Sequence, residues 1–509
     1  MVRKYKIGAW AFLIVVFWVG FNSCTGKRKA RNLAYKTCSS CHLFPDPSLL
    51  PKDIWKENVL PEMGYYMGFG DREEFYRQKA IYDFVEKFSI DALLPPEPSI
   101  TQDEWQIIQE YYLSEAPDSL ILEDSITFAR DLELFFDIEE QQGQPAPCAT
   151  FVSFDPEYRQ FYTANKDALV AVSGEDFTPV KSMRVNAPVS WMQRDEEGNF
   201  DILTMGEMNP NNLPRGILKK INLLSEGEQQ TNIATDLYRP VHFQKADFNN
   251  DGRLDYLVCS FGYFLGRLSW FEALPDNTFK EHLLNPFSGS LKTVVKDLNG
   301  DGYQDFLVLM GQGNEGVYLY NNLQNGEFSS RSFIRLPPVY GSSDFAVEDF
   351  NNDGHPDIAI VCGDNGDISQ VPKPYHGVRI FVNDGKWNFK EARFIPINGS
   401  TGLRVKDFDL DGDKDIAVIS YFSTFDSSPD NGFVFLENKG DMNFKGHVSS
   451  KTDVGRWLVM DAAPIDGNSS PDLILGSCIS TLRDAKASKQ KYWEDKKVSY
   501  LTLKSKARP

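Results

Sequence analysis

Acidic side chains are absent from the first 45 residues, and histidine is scarce, with six in 509 residues and only one of them before residue 242. Hydrophobic runs are short: the longest apolar stretch, 7–21, has fifteen residues, whereas a membrane-spanning helix needs about 20. The formal net charge of −19 argues against a nucleic-acid binder. The length exceeds what one compact core holds and predicts two or more domains.

The amino terminus has the pattern of an export signal. Arg3, Lys4 and Lys6 precede the apolar stretch, and residues 21–24 (Phe-Asn-Ser-Cys) form a relaxed version of a lipoprotein cleavage box. We expect residues 1–24 to be a lipoprotein signal peptide, with Cys24 lipidated after cleavage; an uncleaved anchor is the alternative. Both place the remainder in the bacterial cell envelope, facing the periplasm or the cell surface.

Two regions with different residue patterns follow. Residues 27–118 carry helical signals, including apolar residues at helical spacing over 71–88 and a capping box at 101–104. From 126 to 503, short β-branched and aromatic runs alternate with clusters of Gly, Asn and Asp. We predict a linker at 119–125 and a basic tail at 504–509.

A nine-residue motif recurs in the second region at 247–255, 297–305, 349–357 and 407–415. The starts are 50, 52 and 58 residues apart, and each copy precedes an apolar, strand-like run. Weaker copies occupy 195–201 and 461–472, and residues 151–172 could be a third degenerate unit. This period fits a four-stranded blade, and seven units close a ring. We predict an all-β, seven-bladed propeller, with a solenoid as the competing architecture.

The strongest chemical motif is Cys38-Ser-Ser-Cys41-His42. Two thiols three positions apart match the vinyl groups of a haem, and the adjacent imidazole can ligate its iron. Zinc would need two more nearby ligands, but the next Cys is Cys148 and the next His is His242. A thioredoxin-like pair would need a βαβ context, which the sequence does not have. The motif predicts one covalent haem c.

The ligand on the other face of the iron is expected from one of two methionines. Met63 and Met67 follow the motif, and a thioether ligand raises the reduction potential relative to a second imidazole. We predict Met63, because the bracketing Pro and Gly can present it from a turn. Met67 is the alternative, and either side chain could simply pack in the haem pocket.

The four regular motifs have the oxygen spacing of calcium loops. Side chains at positions 1, 3, 5 and 9 and the carbonyl at position 7 can surround one ion, and Gly at position 6 permits a sharp turn. Asx turns without metal are the alternative. The predicted ligands of about four calcium ions are Asp247, Asn249, Asp251, Arg253, Asp255, Asp297, Asn299, Asp301, Tyr303, Asp305, Asp349, Asn351, Asp353, His355, Asp357, Asp407, Asp409, Asp411, Asp413 and Asp415.

The other cysteines and several loops have less specific signals. Cys148, Cys259, Cys362 and Cys478 are far apart in the sequence. The last three each follow an apolar, strand-like run, and we expect them to be small buried hydrophobic side chains, although export permits disulfides. The loops at 261–270, 363–367 and 375–377 follow strand-like runs. Such loops can gather at one mouth of a propeller as a ligand site, but structural turns are the favoured interpretation.

Residues 247–255 and their copies resemble the FG-GAP/VCBS repeats of integrin-type propellers, and residues 27–118 resemble a class I-type cytochrome c domain. The chain as a whole resembles exported proteins that combine haem with FG-GAP repeats, of a type common in Bacteroidota and Planctomycetota. The resemblance implies a mixed fold: a small all-α cytochrome c-like domain followed by an all-β propeller. It also implies haem at Cys38, Cys41 and His42, and Met63 by analogy.

The function expected from these features is electron transfer by an exported, membrane-anchored c-type cytochrome. Its calcium-stabilised propeller would bind a redox partner protein in the periplasm, or a substrate. One alternative is a propeller that binds a glycan or protein ligand, with the haem as an accessory. The other is an oxidoreductase with its active site on the propeller, although no residue set nominates that site. Membrane contact is expected through lipid on Cys24, and no nucleic acid is expected.

Overall fold

A computed structural model divides the chain into two compact units, Met1–Ile121 and Leu122–Pro509. The structure describes residues 26–79, 81–122, 127–143, 147–224, 230–324, 326–364, 366, 369, 371–425, 427–479 and 487–506. The predicted signal peptide with Cys24, part of the predicted linker and the last three residues of the predicted tail lie outside these ranges. Within them, no helix is long and apolar enough to cross a membrane.

The first unit consists of helices. Its elements are α1 (26–38), α2 (Lys52–Ile54), which continues through a π-helical turn (Trp55–Val59) into α3 (Leu60–Tyr66), α4 (Arg72–Gln78), α5 (Phe84–Asp91) and α6 (Gln102–Glu115). The predicted capping box starts α6. Thr101 Oγ1 accepts a hydrogen bond from the Glu104 N–H, and the Glu104 carboxylate accepts one from the Thr101 N–H.

The helical period predicted over 71–88 corresponds to two helices rather than one. The Asp71 side chain accepts a hydrogen bond from the Glu73 N–H at the start of α4, and Asp83 accepts one from the Glu86 N–H at the start of α5. The Asp83 carboxylate therefore caps a new helix inside the apolar period. The spacing of apolar residues alone does not reveal such a break.

The described residues of the second unit form twenty-eight strands in seven four-stranded antiparallel sheets. Strand β1 (Phe136–Gln142) comes first in the chain but belongs to the last sheet. Blades 1 to 3 consist of β2 (Ala149–Asp155), β3 (Gln160–Asn165), β4 (Leu169–Ser173) and β5 (Pro179–Arg184); β6 (Val189–Arg194), β7 (Phe200–Thr204), β8 (Gly216–Ile221) and β9 (Gln230–Leu237); and β10 (Pro240–Ala246), β11 (Asp255–Ser260), β12 (Arg267–Ala273) and β13 (Phe279–Asn285).

The remaining blades follow the same order. Blades 4 to 6 consist of β14 (Ser290–Lys296), β15 (Asp305–Met310), β16 (Gly316–Asn322) and β17 (Phe328–Arg335); β18 (Ser342–Glu348), β19 (Asp357–Cys362), β20 (Gly377–Asn383) and β21 (Phe389–Pro396); and β22 (Gly402–Lys406), β23 (Asp415–Ile419), β24 (Phe433–Asn438) and β25 (Phe444–His447). Blade 7 consists of β26 (Trp457–Ala463), β27 (Asp472–Ser477), β28 (Val498–Ser505) and β1, with helix α7 (Ala487–Lys496) between β27 and β28.

The first strands of the blades form a closed inner ring. Strands β2, β6, β10, β14, β18, β22 and β26 contact one another in that order, and β26 contacts β2. The ring is completed by the pairing of β1 with β28, in a register from Phe136 with Ser505 to Gln142 with Val498. The prediction of seven blades is therefore confirmed, and the solenoid alternative is wrong.

The apolar runs after the repeated loops become the second strands of the blades. Strands β11, β15, β19, β23 and β27 are buried along their whole length. Each has a hydrogen-bonded neighbour on both sides and an adjacent blade against each face. This explains why these runs are continuously apolar instead of alternating.

A disulfide between Cys148 and Cys478 joins the start of blade 1 to the end of β27, across a sequence separation of 330 residues. The expectation of a small buried side chain without a disulfide is therefore wrong for Cys478. Cys259 and Cys362 are buried and unpaired, as expected. Sequence spacing could not reveal the disulfide, because only ring closure brings blades 1 and 7 together.

Candidate functional site

The four regular loops share one backbone conformation. In each of them, positions 4 and 6 have positive φ angles. The residues are Asn250 and Gly252, Gly300 and Gly302, Asn352 and Gly354, and Leu410 and Gly412. Glycine and asparagine tolerate this region, which accounts for the recurring Asn and Gly, and Leu410 is the only residue in the set with a branched apolar side chain.

The aspartate at position 1 organises each loop. In the first copy, Asp247 Oδ1 accepts a hydrogen bond from the Asp251 N–H (3.0 Å), and Oδ2 accepts one from the Gly252 N–H (2.7 Å). The position-1 aspartates of the other copies likewise accept the N–H of the position-6 glycine. These bonds fold the loop around a set of acidic side chains.

The aspartate at position 9 is buried and ties the loop to its blade. Asp255 accepts hydrogen bonds from the N–H groups of Phe248 (3.1 Å) and Ala273 (2.8 Å). Asp305, Asp357 and Asp415 make the equivalent pair of bonds. Each carboxylate oxygen has a further lone pair, so these bonds leave room for a cation.

The electrostatics of the fourth loop fit a divalent cation. Carboxylate oxygens of Asp407, Asp409 and Asp415 lie within 4.8 Å of one another. Burial, together with the neighbouring Asp409 and Asp411, raises the pKa of Asp415 to about 8. Burial and adjacent loop carboxylates raise the pKa of Asp305 and Asp357 in the same way. Hard oxygen donors crowded around one point are the environment that calcium prefers.

The first loop contains a competing cation. The Arg253 guanidinium at position 7 contacts the Asp251 carboxylate at position 5, and its Nε donates to the Ala273 carbonyl at 2.8 Å. A calcium ion in this loop would therefore share Asp251 with Arg253.

The weak copies in blades 2 and 7 differ from the regular loops. In blade 2, Lys220 pairs with Asp195 (2.8 Å) and Lys245 pairs with the buried Asp201 (2.8 Å). Two ammonium groups thus supply positive charge to the blade 2 carboxylates. In blade 7, Asp461 lies in β26 and accepts a hydrogen bond from Phe154 N–H, so it is not a loop residue.

The Cys-Ser-Ser-Cys-His motif lies at the carboxyl end of α1. Cys38 is the last residue of the helix and is half-buried, whereas Cys41 in the following turn is exposed. The two thiols are not joined to each other. Burial raises the pKa of the Cys38 thiol, and the Tyr112 hydroxyl partly offsets this effect. Nδ1 of His42 lies 2.9 Å from the Leu43 carbonyl oxygen.

The surface of the helical unit fits an apolar prosthetic group. Among the described residues, nine of the twenty large hydrophobic side chains that are exposed lie in this smaller unit. Tyr35 (59% exposed) and Leu43 (37%) flank the motif directly. A haem attached to Cys38 and Cys41 would give apolar surface of this kind a partner.

The local structure around Met63 and Met67 differs from the predicted turn. Met63 lies inside α3 and not in a turn, because Pro61 occupies the first turn of that helix, where proline is tolerated. Met67 follows the last residue of α3, and its N–H donates to the Met63 carbonyl oxygen at 3.1 Å. Both side chains are half-buried.

Backbone hydrogen bonds tie the loops at one end of the blades together. Gly289 N–H donates to the Phe261 carbonyl, Gly311 N–H to that of Gly289, and Gly363 N–H to that of Gly341. Residues 365 and 367 of the predicted loop 363–367 lie outside the described residues. The described contacts are those of structural turns, and they join neighbouring blades.

None of the sequence motifs indicated a group of four polar residues on the inner ring. His242, Lys292, Asp344 and Arg404 each lie two residues after the first residue of an inner strand, in β10, β14, β18 and β22. Aligning the blades with one another would have brought these four positions into one column. We call them the channel belt.

Comparison with known proteins supports the repeat assignment. A family model described as an FG-GAP-like repeat matches residues 247–308 and 297–360, which include three of the four regular loops. No curated protein matches the sequence. Among solved structures, the WD40 domain of Neurospora crassa Pan2 is 9% identical with a TM-score of 0.45, covering 76% of this chain and 98% of that one. Saccharomyces cerevisiae Sqt1 is 7% identical with a TM-score of 0.43, covering 76% and 100%. The chain contains FG-GAP-like repeats within a seven-bladed β-propeller.

Proposed function

We propose that the chain is an exported, membrane-anchored c-type cytochrome that transfers electrons and uses its propeller to bind a partner or substrate. The single observation that carries this proposal is the Cys-Ser-Ser-Cys-His motif with two unpaired thiols at the end of a helix. Cys38 and Cys41 would hold the haem, His42 would ligate the iron, and Met63 or Met67 would ligate the opposite face. A bound haem supplies reversible one-electron chemistry.

The Cys148–Cys478 disulfide supports export. Structural disulfides persist in oxidising compartments such as the periplasm and are rare in the cytosol. This observation is independent of the signal pattern, because it concerns the propeller. Lipid on Cys24 would then hold the protein at the membrane, facing the periplasm or the cell surface.

The role proposed for calcium is structural. Each of the four regular loops precedes the second strand of a blade, and its position-9 aspartate accepts N–H groups from two parts of that blade. An ion held by the same carboxylates would lower their mutual repulsion and stabilise the blade. No electron-transfer role is assigned to these ions.

The proposal is tested by producing the full chain in a bacterium with a cytochrome c assembly system. A pyridine haemochrome spectrum and haem staining after denaturing electrophoresis should both report covalent haem. Cys38→Ala together with Cys41→Ala should abolish the stain. Cys259→Ala is the matched control, since it removes a buried thiol outside the motif and should keep the stain. Haem that is extracted by acid–acetone from the wild-type protein would refute the proposal.

The alternative is a propeller that binds a glycan or protein ligand, with the haem as an accessory or absent. It is favoured by the FG-GAP-like match, which lies entirely in the propeller. The two functions differ in redox behaviour. If the haem changes oxidation state when periplasmic extract is added, electron transfer is supported; a haem that stays unchanged while the propeller retains a ligand favours the alternative.

A further inference from the structure

The channel belt consists of four polar side chains that meet in the interior of the propeller. Lys292 Nζ lies 2.6 Å from Asp344 Oδ1, and Arg404 Nη1 lies 3.2 Å from Asp344 Oδ2. His242 is under the electrostatic influence of all three. The four residues come from four consecutive strands of the inner ring, which surrounds the axis of the propeller.

The belt continues as aromatic rings on the next two inner strands. The Trp191 ring lies 4.5 Å from that of His242, and the Phe151 ring lies 5.6 Å from that of Trp191, both edge to face. The wall of the channel at this level is therefore apolar on one side and charged on the other. That arrangement is typical of a site for a small molecule with one polar end.

The hydrogen bonds within the belt saturate its only acidic group. Asp344 Oδ1 accepts from Lys292 and from the Phe345 N–H, and Oδ2 accepts from Arg404 and from the Leu403 N–H. The carboxylate has thus lost most of its capacity to bind a cation. Any ligand at this level has to be recognised by the other three side chains.

The hydrogen-bonding groups of the belt that have no partner within it are N–H donors. Thr293 N–H donates to His242 Nδ1 at 3.4 Å, so the neutral imidazole carries its proton on Nε2. That Nε2 is buried and has no hydrogen-bond partner among the described residues. Lys292 donates to two acceptors, which leaves one of its three N–H groups. Arg404 Nη2 donates to the Met460 carbonyl and keeps a second N–H.

The net charge of the belt, like its free donors, favours a negatively charged ligand. Burial and the neighbouring Arg404 lower the pKa of Lys292, but its ion pair with Asp344 at 2.6 Å favours the charged form. With Lys292 protonated, Lys292 and Arg404 are cations and Asp344 is an anion, and burial lowers the pKa of His242 to about 3, which keeps it neutral. One positive charge is left over. The side chains of Lys292 and Arg404 are about one quarter accessible, so part of each remains open to solvent, although Lys292 also contacts the Phe345 ring.

We infer that the channel belt binds a small monovalent carboxylate anion, held by Lys292, Arg404 and His242 Nε2, with its apolar part toward Trp191 and Phe151. This site is independent of the haem and of the calcium loops. It gives the propeller a ligand class: a small organic acid. A divalent cation is disfavoured at this level, because no acceptor is left to bind it.

The inference is tested by isothermal titration calorimetry of acetate into the full chain, in a Tris buffer without other carboxylates. One saturable site is expected. Lys292→Met should weaken acetate binding at least about tenfold, because it removes both a donor and the surplus charge. Asp344→Asn should preserve or strengthen binding, because it adds to the surplus positive charge.

Lys245→Met is the matched control, since Lys245 also lies on an inner strand and pairs with an aspartate, Asp201 in β7, but is not part of the belt. It should bind acetate like the wild type. If Lys292→Met does not fold, His242→Phe keeps the aromatic contact and removes the Nε2 donor, and it should also weaken binding. The absence of a saturable site, or equal binding by wild type and His242→Phe, would overturn the inference.

Discussion

The two methionines beside the haem motif differ in how the backbone presents them. Met63 is inside α3, and Met67 follows the end of that helix. We expect Met63→Ala to abolish the weak long-wavelength absorption band of a thioether–ferric bond, and Met67→Ala to retain it. The measurement is the visible spectrum of the oxidised protein. The opposite pattern would assign the ligand to Met67, and a band that persists in both variants would exclude a methionine ligand.

Glu315 is a buried carboxyl group whose titration should affect stability. It accepts hydrogen bonds from the Gly341 N–H (2.8 Å) and the Ser342 hydroxyl (3.2 Å), yet burial raises its pKa from 4.5 to about 8. Between these two pH values the folded state holds a proton that the unfolded state has lost. Stability should therefore fall as the pH rises from about 5 to 8, by up to about 1.4 kcal/mol per pH unit.

The measurement is urea denaturation at several pH values in saturating calcium. Glu315→Gln should flatten the decline over this window, because glutamine does not titrate. The exposed Glu327→Gln is the control and should leave the slope unchanged. If Glu315→Gln and the wild type lose stability in parallel, Glu315 is ionised in the folded protein.

At the level of strands and loops, blade 7 is closed both by hydrogen bonds and by a covalent bond. Strand β1 pairs with β28, and the Cys148–Cys478 disulfide links blades 1 and 7. The double variant Cys148→Ala/Cys478→Ala should lose about 2 to 5 kcal/mol of unfolding free energy, because the cross-link restricts the unfolded chain. Chemical denaturation under oxidising conditions measures this loss.

The control is Cys259→Ala/Cys362→Ala, which removes two buried thiols without breaking a link. A reductant should destabilise this control and the wild type but not the double variant without the disulfide. Equal loss in both double variants would mean that cavity formation, and not the cross-link, causes the effect.

Sequence reasoning succeeded where an element is encoded locally and repeats. Four loops of one spacing and three degenerate units were enough to predict seven blades, because each unit carries its own turn and apolar strand. Contacts between segments that are far apart in the sequence could not be predicted. The pairing of β1 with β28, the Cys148–Cys478 disulfide and the channel belt all depend on ring closure, which no local pattern specifies.

The end of the propeller was also mispredicted because it depends on a contact with a distant residue. We predicted from the sequence that the propeller ends at residue 503. In the structure, β28 continues to Ser505, whose N–H donates to the buried Asp472 at 2.7 Å. The partner of this hydrogen bond lies 33 residues away. A compositional change at the terminus could not indicate it.

On the scale of the whole molecule, calcium should stabilise one unit and not the other. The predicted ligands all lie in the propeller, and a site with free ion a hundredfold above its dissociation constant adds about 2.7 kcal/mol to folding. Removing calcium with a chelator should lower the melting temperature of the propeller and leave the haem spectrum unchanged. Differential scanning calorimetry with and without chelator is the measurement.

Asp301→Ala should reproduce part of this effect by removing one site, whereas Asp276→Ala, an exposed aspartate in a hairpin of blade 3, should not. An unmoved melting curve after chelation would have two explanations. Elemental analysis separates them: protein without calcium means that the loops are Asx turns, and retained calcium means that the chelator was too weak.

The central claim, a covalent haem on a propeller protein, is tested most directly by the intact mass of the full chain matured in a host with cytochrome c assembly. Cys38 and Cys41 are unpaired and available for attachment. We predict a mass above that of the processed polypeptide by one haem, and loss of that increment in Cys38→Ala/Cys41→Ala. A wild-type mass equal to the bare polypeptide would contradict it.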